Sequence, residues 1–152
     1  MNLTPKTLLT DTSVGDLCVS ALTRTNKTGD EHGFVLTRHD TKLYHTPLQS
    51  GADGSITLKY NGDPVATAHT HPREQYESLF SGLDIQSYIN GPMKFAYLIY
   101  DTGHYTTVDI YQTDAYDTYA DLQEDIPHDT HLQLLRKANE LLHHETIQLG
   151  KW

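Results

Sequence analysis

The sequence predicts an α+β fold in which a single mixed β-sheet is flanked by helices. Apolar stripes with a helical period lie near both ends of the chain, and a shorter one lies in the middle. Between them are short runs rich in β-branched and aromatic residues, separated by turn residues. The 152 residues fit a single domain, 1–152, that is large enough to bury its own core.

Three segments are predicted to be helices. The N-terminal helix spans 13–25, where five residues form one apolar stripe: Val14, Leu17, Cys18, Ala21 and Leu22. A short helix begins at Ser81 and stops before the residues Asn-Gly-Pro at 90–92. A long C-terminal helix spans about 129–149, and His143 and His144 are expected to face solvent near its end.

The strands are predicted between these helices, at 33–38, 41–46, 55–60, 64–71, 93–101 and 104–111. His39 and Asp40 form the hairpin connection between the first two strands, and 49–54 is expected to be a loop. The run MKFAYLIYD at 93–101 is almost continuously apolar, which predicts a strand at the buried centre of the sheet.

Composition excludes several classes of function. The formal charge is −9 and the chain has no Lys/Arg cluster, which argues against nucleic acid as a partner. No apolar run approaches the ~20 residues that span a bilayer, and the N-terminus is a poor signal peptide. We therefore expect no membrane partner, and a protein that is cytoplasmic or delivered into a target cell. Cys18 is the single cysteine, and we expect a buried, inert thiol.

The stretch AHTHPREQYESLFSGLD, 68–84, contains the strongest chemical signal. His69 and His71 are two residues apart on a predicted strand, so their side chains project from the same face. Two imidazoles suit zinc, which needs at least one further ligand, and Asp84 lies in the first turn of the following helix. The alternative is an exposed strand followed by an ordinary capping box formed by Ser81 and Asp84.

His-x-His-Pro followed by Ser-x-x-Asp resembles the signature of the JAB1/MPN/Mov34 metalloenzymes, the JAMM motif. The resemblance extends over about 30–111, and the stretch GDEHGFVLTRHDTKLYHTPLQSG is most similar to a small bacterial branch found in toxins and effectors. It implies an MPN-like fold, one zinc ion per chain held by His69, His71 and Asp84, and a catalytic Ser81 that stabilises the oxyanion.

The resemblance also implies a glutamate that acts as general acid and base, for which two residues compete. Many family members have Glu-x-x-Gly, and that spacing puts Asp30 three residues before Gly33. Glu31 is offset by one residue but has the required side chain, and neighbouring residues on a strand point to opposite faces. We expect Glu31 to be the catalytic residue. Nine residues separate His71 from Ser81, where the usual pattern has seven.

The implied function is zinc-dependent hydrolysis of an amide or isopeptide bond in a protein or peptide, including bonds to ubiquitin-like modifiers. Two alternatives follow from the same residues. One is a non-catalytic MPN-type interaction scaffold, which usually lacks a ligand. The other is a metal hydrolase of another class, which usually requires more carboxylates or a second metal.

Overall fold

The computed structural model describes residues 12–52, 56–71, 84, 95–100, 104–109 and 143–147. Within these residues seven strands form one sheet: β1 (His32–His39), β2 (Lys42–His45), β3 (Gln49–Ser50), β4 (Asp63–Thr70), β5 (Phe95–Tyr100), β6 (His104–Asp109) and β7 (His143–Ile147). The strand order is β2-β1-β4-β5-β6-β7, and β3 also pairs with β1. Because β4 and β5 are parallel and the other pairs are antiparallel, the sheet is mixed, and the predicted α+β class is confirmed.

Helix α1 (Thr12–Thr28) packs on one face of this sheet through the predicted apolar stripe. Its buried residues contact alternate residues of three strands: Phe34, Leu36, Ala66, Ala68, Tyr97 and Ile99. The helix extends three residues beyond its predicted end because Gly29, at φ 78°, provides the left-handed position that terminates it. No helix within the described ranges is long and apolar enough to cross a membrane.

β1 and β2 form the predicted antiparallel hairpin, although the connection is one residue later than expected. His39 pairs with Lys42, so the two-residue turn consists of Asp40 and Thr41. Asp40 has φ 55°, a left-handed conformation that aspartate tolerates better than most residues.

Two predictions for the segment 49–60 were wrong. Gln49–Ser50 was expected in a loop, but it forms β3 against the start of β1, with His32 opposite Ser50. Residues 56–60 were expected to form a strand, but their backbone does not join the sheet. Instead, the Gln49 side-chain amide accepts a hydrogen bond from the Lys59 amide at 2.7 Å and donates one to the Lys59 carbonyl at 2.8 Å. The Gln49 side chain thus makes with the Lys59 backbone the two hydrogen bonds that a neighbouring strand would make.

The parallel pair β4–β5 defines the middle of the sheet. β5 lies between β4 and β6, and its residues from Ala96 to Ile99 are buried, which confirms the predicted central position. The chain between these parallel strands is a crossover connection, and such connections usually contain a helix. Asp84 lies within it and has a helical backbone, while the rest of the predicted helix lies outside the described residues.

The prediction of a C-terminal helix over about 129–149 was wrong for 143–147. These residues form β7, which pairs antiparallel with β6, so that Asp109 is opposite His143 and Tyr105 is opposite Ile147. The helical period of the leucines before this segment does not continue through HHETI, and β-branched Thr146 and Ile147 favour a strand. Residues 129–142 lie outside the described residues.

Cys18 is fully buried where α1 meets the sheet, and burial raises the pKa of its thiol to about 12. We predict that the folded protein does not react with a thiol-modifying disulfide reagent at pH 8, because the thiolate is the reactive form. The measurement is the rate of modification, with the protein in denaturant as the control that gives one reactive thiol per chain. Modification of the native protein at the denatured rate would contradict this packing.

Candidate metal centre

His69 and His71 lie at the carboxyl end of β4, where the predicted alternation brings them to the same face of the sheet. His69 is the penultimate residue of β4, and His71 is the first residue after the strand ends at Thr70. The His71 amide donates to the Ile99 carbonyl at 3.4 Å, which continues the pairing of β4 with β5. The two imidazole rings are 5.0 Å apart between centroids and the two Nε2 atoms are 3.1 Å apart.

Asp84 approaches both imidazoles from the crossover connection. Its Oδ2 lies 3.3 Å from the Nε2 of His69 and 3.2 Å from the Nε2 of His71. Three donor atoms from two parts of the chain therefore form a nearly equilateral triangle. Four ligands around zinc at bond lengths of about 2.0–2.1 Å in tetrahedral geometry are about 3.3–3.4 Å apart. The donor types and the size of the triangle both fit a zinc ion.

Glu31 brings a second carboxylate to the same place. It immediately precedes β1, and its Oε1 lies 3.4 Å from the Nε2 of His71. The ligand atoms of Glu31, His69 and His71 all lie within 4.8 Å of one another, so these three residues could hold a metal ion. The backbone of Glu31 is fixed by a hydrogen bond that its carbonyl accepts from the Gly51 amide at 2.8 Å.

The four donor side chains are shielded from water to different extents. His69 is 3 % exposed and Glu31 is 7 % exposed, whereas His71 and Asp84 are 12 % and 21 % exposed. Burial acts to raise the pKa of the Asp84 carboxyl, but its electrostatic interaction with His69 and hydrogen bonds from both histidines hold this pKa well below its usual range. The Asp84 carboxyl is therefore ionised over the whole neutral range.

Gly33 makes room for His69. The two residues are opposite each other in the pairing of β1 with β4. A Cβ atom at position 33 would collide with the carbonyl oxygen of Ala68 and would lie 3.1 Å from the Cβ of His69. Because these are backbone and near-backbone atoms, neither can move without separating the two strands. The sequence Glu-x-Gly at 31–33 therefore combines the carboxylate of Glu31 with the space that His69 needs opposite Gly33.

A buried hydrogen-bond network on the opposite face was not predicted from the sequence. Thr25 of α1, His32 of β1 and Thr70 of β4 contact one another through their polar side-chain atoms and the His32 backbone. All three are almost fully buried. The signal that could have revealed it is the alternation of β4, which puts Thr70 on the same face as the core residues Ala66 and Ala68.

The predicted site residues are brought together as far as they are described. His69, His71, Asp84 and Glu31 converge, while Asp30 is partly exposed and its backbone carbonyl faces the His32 ring. Ser81 lies outside the described residues, and so does the longer segment between His71 and Ser81. The role as ligand or catalytic group stays a prediction for Glu31, His69, His71, Ser81 and Asp84.

The comparisons with known proteins give no match: no family model, no curated protein and no solved structure matches this chain.

We predict that Gly33→Ala destabilises the protein by about 1–3 kcal/mol, since an added methyl group has no space here, and that it disrupts the site. Urea unfolding measures the first effect and metal binding by equilibrium dialysis measures the second. The control is Gly62→Ala at the other end of β4, where φ is 95° and no atom lies within 4 Å of the new Cβ. Gly62→Ala should lose stability through backbone strain but keep its affinity for metal. Unchanged metal affinity in Gly33→Ala would contradict the inference that the site requires the close approach of Gly33 to His69.

Proposed function

We propose that this protein is a zinc-dependent hydrolase of the JAMM type that cleaves an amide or isopeptide bond. The observation that carries the proposal is the convergence of Glu31, His69 and His71, with Asp84 in contact with both imidazoles. A metal ion would account for one buried and one half-buried imidazole and two carboxylates whose donor atoms point at one place. The arrangement also agrees with the resemblance drawn from His-x-His-Pro and Ser-x-x-Asp.

His69, His71 and Asp84 would hold the ion, as the mutual contacts of their donor atoms support. Two neutral imidazoles and one carboxylate reduce the charge of Zn²⁺ by one and leave one position of a tetrahedron open, as in catalytic zinc sites. A zinc ion bound there would supply Lewis acidity, which lowers the pKa of water to about 7 and so provides a nucleophile at neutral pH.

Glu31 serves as general acid and base in this proposal. Its carboxylate oxygen lies 3.4 Å from Nε2 of His71, so it borders the donor triangle at that corner. In this position it accepts a proton from the attacking water and transfers the proton to the amine nitrogen as the C–N bond breaks. The burial of Glu31 keeps competing bulk water away from the proton.

Ser81 and the substrate are assigned from the resemblance alone. Ser81 would donate a hydrogen bond to the developing oxyanion of the tetrahedral intermediate. The partner would be a protein or peptide, including ubiquitin-like modifiers, and no nucleic acid or membrane partner is proposed. A non-catalytic MPN scaffold is less consistent with the site, because such scaffolds usually lack a ligand whereas the donors here converge.

The first prediction from this proposal is metal content. Purified protein should carry one zinc ion per chain, and His69→Ala or Asp84→Ala should lose most of it, as measured by atomic emission. His45→Ala is the matched control, since His45 is an exposed histidine whose Nδ1 contacts only the Thr46 carbonyl among the hydrogen bonds of the described residues. Equal zinc in wild type and His69→Ala would refute the metal site.

The second prediction separates a base from a ligand. Glu31→Gln should keep its fold and its zinc, yet cleave a confirmed substrate ~10²–10⁴-fold more slowly because proton transfer is lost. Asp30→Asn, which makes the same chemical change one residue earlier, should be nearly silent. Turnover is measured on a panel of ubiquitin chains and peptides, alongside zinc content. Loss of zinc from Glu31→Gln would show that Glu31 is a ligand, and an inactive Asp30→Asn would identify Asp30 as the base.

A further inference from the structure

We propose that Thr70 is a positioning residue, which acts through Thr25 and His32 to hold Glu31 against the two histidines. This inference rests on the proposed function, because it assigns to a network on the core face of the sheet the alignment of the metal site on the other face. Thr25, His32 and Thr70 will be called the Thr-His-Thr network.

The protons in the Thr-His-Thr network follow from its acceptors. The Asp30 carbonyl oxygen can only accept, so Nδ1 of His32 carries a proton and donates to it at 2.9 Å. The Thr70 hydroxyl donates to the His32 carbonyl at 3.2 Å and accepts from the His32 amide at 2.9 Å. Since the single proton of Thr70 is used, the Thr25 hydroxyl donates to Thr70 Oγ1, and its oxygen accepts the weaker branch of a bifurcated bond from the same Nδ1–H of His32, 3.1 Å away.

The network contacts the residues on both sides of Glu31. The residue before it, Asp30, is bound through its carbonyl by the His32 ring, and the residue after it is bound by Thr70 through both of its backbone polar groups. These contacts fix the backbone position of Glu31 from the core face of the sheet. They leave its side chain directed to the opposite face of the sheet, where its Oε1 reaches His71.

Thr70 also belongs to the backbone segment that carries the two histidines. It is the residue between His69 and His71, so the hydroxyl that holds the backbone beside Glu31 belongs to the strand segment that presents both imidazoles. The network is buried, and in low dielectric its hydrogen bonds strengthen one another. One hydroxyl group therefore couples three donors of the site: Glu31, His69 and His71.

The test compares Thr70→Val, which keeps the shape and removes the hydroxyl, with Thr70→Ser, which keeps the hydroxyl. The matched control is Thr67→Val on the same strand, because Thr67 Oγ1 is buried and has no hydrogen-bond partner within the part of the chain that the structure describes. For each metal-free protein, the affinity for Co²⁺ is measured by competition with a chelator. The visible absorption of bound Co²⁺ then reports the geometry of the donor set.

Thr70→Val should bind Co²⁺ about 10–100-fold more weakly, because the strand segment that presents the ligands His69 and His71 loses its support, and its visible spectrum should change. Thr70→Ser should restore both, and Thr67→Val should match wild type in both. Should Thr70→Val not fold, as judged by circular dichroism, Thr25→Val tests the same network from the helix. It has its own control in Thr23→Val, whose exposed hydroxyl contacts only the Val19 carbonyl among the described hydrogen bonds.

The outcomes separate this inference from the proposed function. Wild type that binds no Co²⁺ would refute the metal site itself. Wild type that binds Co²⁺, together with a folded Thr70→Val or Thr25→Val of unchanged affinity and spectrum, would refute the positioning role alone. Failure of Thr70→Ser to restore the spectrum would also overturn it, since the hydroxyl would then not be the group that matters.

Discussion

The antiparallel pairing of β1 with β4 is the constraint on which the rest of the structure depends. Gly33 lies opposite His69 in this pairing, so the residue two positions earlier, Glu31, comes level with His71. A slip of one residue would turn Glu31 away from the histidines, and in one direction it would put Phe34 opposite His69 in place of Gly33. The missing side chain at position 33 opposes such a slip, because close approach of the two backbones is possible only at a glycine.

The same pairing divides the sheet into two chemically different faces. On one face, alternate apolar residues of β1, β4 and β5 pack under α1, and on the other the donor side chains converge. Polar groups on the core face are costly to bury unless they are hydrogen-bonded. The three members of the Thr-His-Thr network meet this requirement mutually, so polar residues next to the site are compatible with a packed core.

The parts that the sequence predicted are those governed by local periodicity. The stripe of α1, the β1–β2 hairpin and the shared face of His69 and His71 each follow from spacing within a few residues. Glu31 is chosen over Asp30 for its longer side chain and because the family resemblance calls for a glutamate. The incorrect or missing predictions depend on distant contacts: β7 joins the free edge of β6, and Gln49 replaces a strand beside Lys59. Thr70 is 45 residues from Thr25 and 38 from His32, so the alternation of β4 places Thr70 on the core face but no local pattern pairs it with them.

The placement of Asp84 in the crossover between β4 and β5 has a thermodynamic consequence. Bringing its carboxylate to His71 closes the intervening chain into a ring, which lowers chain entropy. An ion that binds both residues would act as a reversible cross-link, comparable to a disulfide in what it does to the unfolded ensemble. Any ion that binds the folded chain more tightly than the unfolded one would raise the unfolding free energy with its concentration. The concentration of free metal ion and the free energy of unfolding would then be thermodynamically linked.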